Sequence, residues 1–199
     1  MQKFHKPAFV LLVLIIPVII YLLSFSSVIH NKPFIEKQME ESGLFFNAKE
    51  VNSLVVDYLL SEDELINLDV FDKKEEQHLL DVKIVINRVF DFLFLLLALF
   101  LFLVYYNWKN KSDFNKIMIY SGMVTVAIPI ILYFIPFQTF FTAFHNIFFI
   151  EGSWVFTHIS ALIQIYPFDF WYRTSFGLFL RGFVAGWALI GLGYLRSFF

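Results

Sequence analysis

Hydrophobic and polar positions in this chain fall into long blocks. Residues 7–29 carry no charged side chain and are almost wholly apolar. A bilayer-spanning helix needs about 20 such residues, so this run predicts a first transmembrane helix. Pro17 lies inside it, which lipid-embedded helices tolerate because neighbouring groups re-satisfy the freed backbone. Three further apolar runs follow at 88–108, 117–136 and 174–195. Asp91 interrupts the first of these, Pro129 the second, and Arg181 with five glycines the third. Gly182 and Gly186 stand four apart, a spacing that lets another helix approach closely. The pattern predicts an all-α integral membrane protein with four transmembrane helices. A cleaved leader is the competing reading of 7–29, but Ser24-Phe25-Ser26 is a weak cleavage site and the run is too long for a typical leader core.

Between the first two runs lies a block of opposite character. Residues 30–87 hold thirteen of the 17 acidic residues. Val51, Leu54, Val55, Tyr58 and Leu59 recur at helical spacing, and Ser61 with Glu64 forms a capping-box pattern that predicts another short helix start. The block reads as a mostly helical acidic insert outside the bilayer. Residues 137–173 are too apolar for a solvated loop. Phe137, Phe140, Phe141, Phe144 and Phe148 lie at helical spacing, and Trp154, Trp171 and Tyr172 suit the headgroup zone. This segment is expected to form interfacial helical pieces with a greasy surface fit for lipid tails.

Basic residues set the expected orientation. Lys3 and Lys6 precede the first run, Lys109, Lys111 and Lys116 occupy the link at 109–116, and Arg196 follows the last run. Positive-inside bias then places both termini in the cytoplasm of a multi-pass cell-membrane protein, with 30–87 and 137–173 on the outer side.

Composition supports lipid as the solvent. Of 199 residues, 59% are hydrophobic, 21% aromatic and 16% charged. An average soluble domain has about 25% charged residues. The net charge of −2 argues against nucleic acid as a partner, and the absence of cysteine excludes disulfides, thiolate metal sites and a cysteine nucleophile.

No nucleophile elbow, metalloprotease helix motif, phosphate loop or dinucleotide fingerprint occurs. Candidate chemistry rests on histidines. His78 and Asp81 are three apart, so a helix sets them on one face, where the carboxylate can fix an imidazole tautomer. A solvated helix with an incidental His/Asp pair explains the same spacing. His145 sits among phenylalanines, costly for an imidazole without a partner or a task. His5 and His30 flank the first run, and His158 has the context of a structural residue. Loose spacings make a metal site the weakest option, and no cofactor is implied. Asp91 and Arg181 fit a mutual pair within the outer part of their helices; Arg181 alternatively suits a lipid carbonyl or phosphate.

Several short stretches, in order, resemble the lipoprotein intramolecular transacylase family of four-span bacterial membrane proteins. They are Asn52-Ser53-Leu54 through Tyr58-Leu59, His78-Leu79-Leu80-Asp81-Val82-Lys83, Phe144-His145-x-x-Phe148-Phe149, Trp154-x-Phe156, Leu162-Ile163 and Pro167-x-x-Phe170. The family pattern has an acid shortly before Leu162-Ile163, where this chain has Ser160-Ala161. The resemblance implies a diacylglyceryl-modified lipoprotein as substrate, with membrane lipid around it. The sn-2 acyl chain moves to the α-amine of the same cysteine, giving the N-acyl lyso form. On that reading His78 is the general base, oriented by Asp81, and His145 stabilises the oxyanion or protonates the departing oxygen; the two roles are exchangeable. Asn146, Trp154 and Arg181 are supporting donors. A non-catalytic accessory or chaperone protein and a metal-dependent membrane hydrolase are the alternatives. The accessory reading does not require the two histidines to meet.

Overall fold

The structure, a computed structural model, describes residues 6–42, 48–63, 66, 68–106 and 111–196. Eight helices occur among them: α1 (Lys6–Ile29), α2 (Lys32–Ser42), α3 (Ala48–Leu60), α4 (Lys73–Tyr106), α5 (Lys111–Tyr133), α6 (Phe137–Phe148), α7 (Ala161–Ile165) and α8 (Phe168–Leu195). No strand appears among the described residues. The protein is an all-α integral membrane protein, and α1, α4, α5 and α8 are long and apolar enough to cross a bilayer.

Helix boundaries differ from the apolar runs where local chemistry intervenes. α4 starts at Lys73, well before the apolar run at 88–108, and continues unbroken for 34 residues, on the order of 50 Å. Asp72 makes this start. Its Oδ1 accepts from the backbone N–H groups of Lys74 (2.8 Å) and Glu75 (2.9 Å), while Glu75 Oε2 accepts from the N–H of Asp72 at 2.8 Å. This reciprocal capping box satisfies donors that a helix start leaves open. The capping box expected at Ser61 is not how that residue is used. Ser61 Oγ accepts from Asp63 N–H at 3.1 Å in a non-helical bend, and Glu64 lies outside the described residues. α8 likewise begins at Phe168, before the run at 174–195.

The chain divides into two compact units. The first comprises Met1–Ser26, Phe90–Ile135 and Gly177–Phe199. Leu12, Ile15, Ile19, Leu93, Leu96, Leu103 and Ile117 form its core, while Phe94, Leu95 and Phe102 stay exposed, as lipid-facing residues do. Gly182, Gly186 and Gly193 of α8 are spent on contacts within the chain. A Cβ on Gly182 would meet the Tyr21 ring of α1 at 2.2 Å. A Cβ on Gly122 of α5 would meet the carbonyl oxygen of Gly186 at 2.6 Å. Tyr21 OH donates to the carbonyl of Thr125 at 2.9 Å, tying α1 to α5. In the same unit, Arg181 Nη1 donates to the Gly177 carbonyl at 3.4 Å, one turn back on α8.

The second unit comprises Ser27–Val89 and Pro136–Phe176. Met39, Val55, Val56, Leu79, Leu162, Ile165 and Phe170 are buried in it. Two buried polar groups hold it together. Lys83 Nζ donates to the carbonyls of Tyr58 (2.6 Å) and Asp63 (2.7 Å) and to Ser61 Oγ (3.3 Å), so its three protons fasten the end of α3 to α4. Tyr166 OH donates to Asn52 Oδ1 at 3.1 Å.

Candidate active site

Both candidate histidines lie in the second unit and come together there. His78 occupies the second turn of α4, just past the Asp72 cap. His145 occupies the last turn of α6, at whose start the Thr139 and Phe140 N–H groups donate to the Pro136 carbonyl. The two imidazole rings face each other with centroids 6.3 Å apart and planes 24° from parallel.

The chain then reverses so that more aromatic groups return to the pair. Gly152 has φ of +79°, a backbone that L side chains rarely adopt, with open space where its Cβ would be. Its conformation, not its bulk, makes the turn that brings Trp154 back to within 4.7 Å of the His145 ring. Phe149 and Phe156 lie 4.9 and 5.4 Å from the His78 ring, and Phe141 lies 4.1 Å from His145. Two polar atoms of this cluster, His78 Nδ1 and Trp154 Nε1, are buried without a hydrogen-bond partner. Such groups are costly to leave unpaired and concentrate where a ligand is handled.

His145 is oriented by backbone. Its Nδ1 lies 2.8 Å from the Phe141 carbonyl oxygen, one turn earlier. A carbonyl only accepts, so Nδ1 carries the proton and Nε2 presents a lone pair. Burial pushes the His145 pKa down, opposed by this hydrogen bond. His78, in the polar turns of α4 ahead of its apolar stretch, is held down to about 4. Burial is the main cause, His145 and Lys74 add to it, and Asp81 opposes it. Both imidazoles are therefore neutral near pH 7.

The geometry corrects the expected role of Asp81. Its Oδ1 accepts from Gln77 Nε2 at 3.1 Å, and among the described residues no hydrogen bond joins it to His78. Gln77 stands four residues before Asp81 on the helix, on the same face. The charge of Asp81 raises the His78 pKa, against the burial that lowers it. Asn146 follows His145 but is exposed, about 100° around α6 from it. Arg181 belongs to the other compact unit. His158 is exposed in a turn, His30 lies just past the end of α1, and His5 lies outside the described residues. No group of three or more metal-ligating side chains occurs among the described residues.

One residue of the site was missed in the sequence. Glu75 is 3% exposed, and its Oε1 accepts from the Leu162 N–H at 3.1 Å and from the Ser160 hydroxyl. It fastens the segment that follows Trp154 and Phe156 to the helix carrying His78. The signal was present as Asp72-x-x-Glu75 ahead of a helical run. The same contact places a carboxylate against Ser160, next to the departure at Ser160-Ala161.

The family model of the lipoprotein intramolecular transacylase Lit matches residues 8–171. The chain belongs to the lipoprotein intramolecular transacylase family. The transacylase fold agrees. The membrane-integral lipoprotein intramolecular transacylase Lit from Bacillus cereus superposes with a TM-score of 0.79 at 18% identity, covering 94% of this chain and 93% of that one. A variant of it with a histidine replaced by arginine gives 0.80, covering 96% and 92%. An uncharacterised protein of Aquifex aeolicus is 28% identical over 132 residues, 65% of this chain. The match spans 59% of that relative's length.

Proposed function

We propose that this transacylase moves the sn-2 acyl chain of a diacylglyceryl-cysteine lipoprotein onto the α-amine of the same cysteine, and that the His78–His145 pair is the reaction site. The observation that carries this reading is the facing pair itself: two imidazoles 6.3 Å apart inside an aromatic wall. An ester becomes an amide, so the step runs downhill without a nucleotide or a cofactor. Amine and ester belong to one molecule. Holding them in register supplies on the order of 7 kcal/mol at best, and no enzyme nucleophile is required.

His145 is the better base of the two. The Phe141 carbonyl fixes its tautomer and leaves the Nε2 lone pair to accept the proton. The α-amine has a pKa of about 8 in water. Entering a desolvated aromatic site lowers it, so the amine attacks in its neutral form. Attack forms the C–N bond and a tetrahedral oxyanion. His145 takes the proton that the nitrogen sheds and returns it to the glyceryl oxygen as the C–O bond breaks. No net proton is gained or lost. Neutral His78 and the Trp154 indole N–H are the donors to the oxyanion, and both bring buried polar nitrogens without a partner. The exposed apolar face of α6, with Phe144, Ile147 and Phe148, suits the acyl chains, and aromatic packing around the rings excludes water that hydrolyses esters.

On the same reading the protein sits in the bacterial cell membrane, both termini lie in the cytoplasm, and the pair works at the outer leaflet. The test is mass spectrometry of lipoprotein N-termini in cells whose only transacylase is this chain. Wild type yields the N-acyl lyso form. His78→Ala and His145→Ala variants leave the diacylglyceryl form with a free amine. N-acyl product in both variants overturns the proposal.

A further inference from the structure

Bordering Phe156, the second unit has an open cavity of about 640 Å³. Its walls are the residues leading into α4, including Val70, Lys74 and Glu75, and the stretch 155–164, including Thr157 and Ile159. That volume is within the usual range for ligand sites of about 300–1,000 Å³. The lining mixes carboxylates, two hydroxyls and an amide with Val70 and Ile159, which are 39% and 73% exposed. Such a mixture is wrong for an acyl chain and right for a polypeptide in extended form.

The cavity adjoins the site through one side chain. Phe156 lines it and also packs 5.4 Å from the His78 ring. Lys74 lines it too, with Nζ 4.9 Å from the Phe156 ring centroid and donating to the Val155 carbonyl at 2.6 Å. Lys74 and Glu75 stand four and three residues before His78, one helical turn away. Covalent structure then constrains the substrate. The attacking nitrogen and the first peptide carbonyl are on the same Cα, within about 2.5 Å of each other. The polypeptide of the lipoprotein must therefore leave from the immediate neighbourhood of the imidazoles, and it cannot follow the acyl chains into lipid.

We infer that this cavity is the exit groove for the lipoprotein polypeptide: the residues following the lipidated cysteine lie between the α4 start and the 155–164 segment, and Phe156 divides peptide from reaction site. The inference rests on the proposed transfer reaction. It makes the protein read peptide length, which a site for lipid alone does not.

The test compares two synthetic substrates with purified protein in mixed micelles: diacylglyceryl-cysteine amide, and the same headgroup extended by ten residues. Wild type is expected to show a KM at least about tenfold lower for the extended substrate at similar kcat. Val70→Trp and Thr157→Trp, which fill the groove, are expected to abolish that advantage and leave turnover of the short substrate unchanged, which also reports that they fold. Independently, an extended substrate with a benzophenone at the third residue after the cysteine is expected to crosslink wild-type protein within residues 69–75 or 155–164. Equal KM values for both substrates in wild type, or crosslinks confined to other segments, overturn the groove while leaving the transfer reaction intact. Absence of N-acyl product from either substrate overturns the reaction reading and the groove with it.

Discussion

His145 Nδ1 lies 2.8 Å from the carbonyl oxygen of Phe141, one turn back on the same helix. That contact does for His145 what the sequence suggested Asp81 does for His78. It commits one ring nitrogen to donating and leaves the other to accept. A backbone carbonyl orients the ring without a buried charge, which suits a site among phenylalanines.

Glutamine variants separate the two histidines. A glutamine amide can donate a hydrogen bond but cannot shuttle a proton. His145→Gln is expected to lower kcat about 10³-fold, within the usual range for losing a general base. His78→Gln keeps an N–H donor and is expected to lose about 10- to 100-fold, less than removal of an oxyanion donor usually costs. Single-turnover kinetics on a synthetic diacylglyceryl-cysteine peptide measures both. The reverse order assigns the base to His78. Asp81→Asn is expected to change kcat only a few-fold, since Asp81 reaches His78 through charge and not through a hydrogen bond.

The pH dependence follows from the same burial. The folded pKa of His78 lies at about 4, below the ordinary 6.5, and that of His145 is lowered as well. Both rings therefore stay neutral as pH falls past 6.5, and kcat for bound substrate is expected to hold there and decline only at lower pH. Stability follows the same window. The unfolded chain takes up the proton first, so stability is complete above pH 6.5 and is lost as pH falls towards 4. The His78 shift corresponds to on the order of 3 kcal/mol. Thermal unfolding in detergent across pH 4–8 is expected to show this loss in wild type and a weaker one in His78→Leu.

Glu75 is expected to behave as a fastening, not as a base. Glu75→Ala strands the donors of Ser160, Leu162 and Asp72, and a loss of about 3 kcal/mol follows at roughly 1 kcal/mol per hydrogen bond. Ser160→Ala removes one donor and leaves the carboxylate its backbone partners, so about 1 kcal/mol is expected. Denaturant unfolding in micelles gives both values, and equal losses refute the assignment.

In the first unit, Gly122 and Gly191 make a contrasting pair. A Cβ on Gly122 runs into a backbone carbonyl that cannot turn aside, whereas nothing lies within 4 Å of a Cβ on Gly191. Gly122→Ala is expected to lower the melting temperature by several degrees and Gly191→Ala to leave it nearly unchanged.

The sequence by itself determined the solvent and the helices. Uncharged runs of bilayer length admit one stable backbone arrangement in lipid, since every peptide group must be satisfied internally, and so the apolar segments of α1, α4, α5 and α8 were legible. The phenylalanine spacing that forms α6 was legible for the same periodic reason, and the two histidine motifs were visible through family resemblance. Their partners were not. His78 and His145 are 67 positions apart in the chain, and only tertiary packing makes their rings face each other. Helical spacing offered Asp81 to His78, but the hydrogen bond the carboxylate accepts comes from Gln77, four positions before it. The Phe141 carbonyl that fixes His145 is a backbone group with no sequence signature. Glu75 was readable as a cap for α4, yet its second oxygen serves a segment 85 positions away through Ser160. Composition and periodicity are local properties. The identity of the base and the anchoring of the aromatic wall depend on contacts between distant segments, and only the folded chain supplies those.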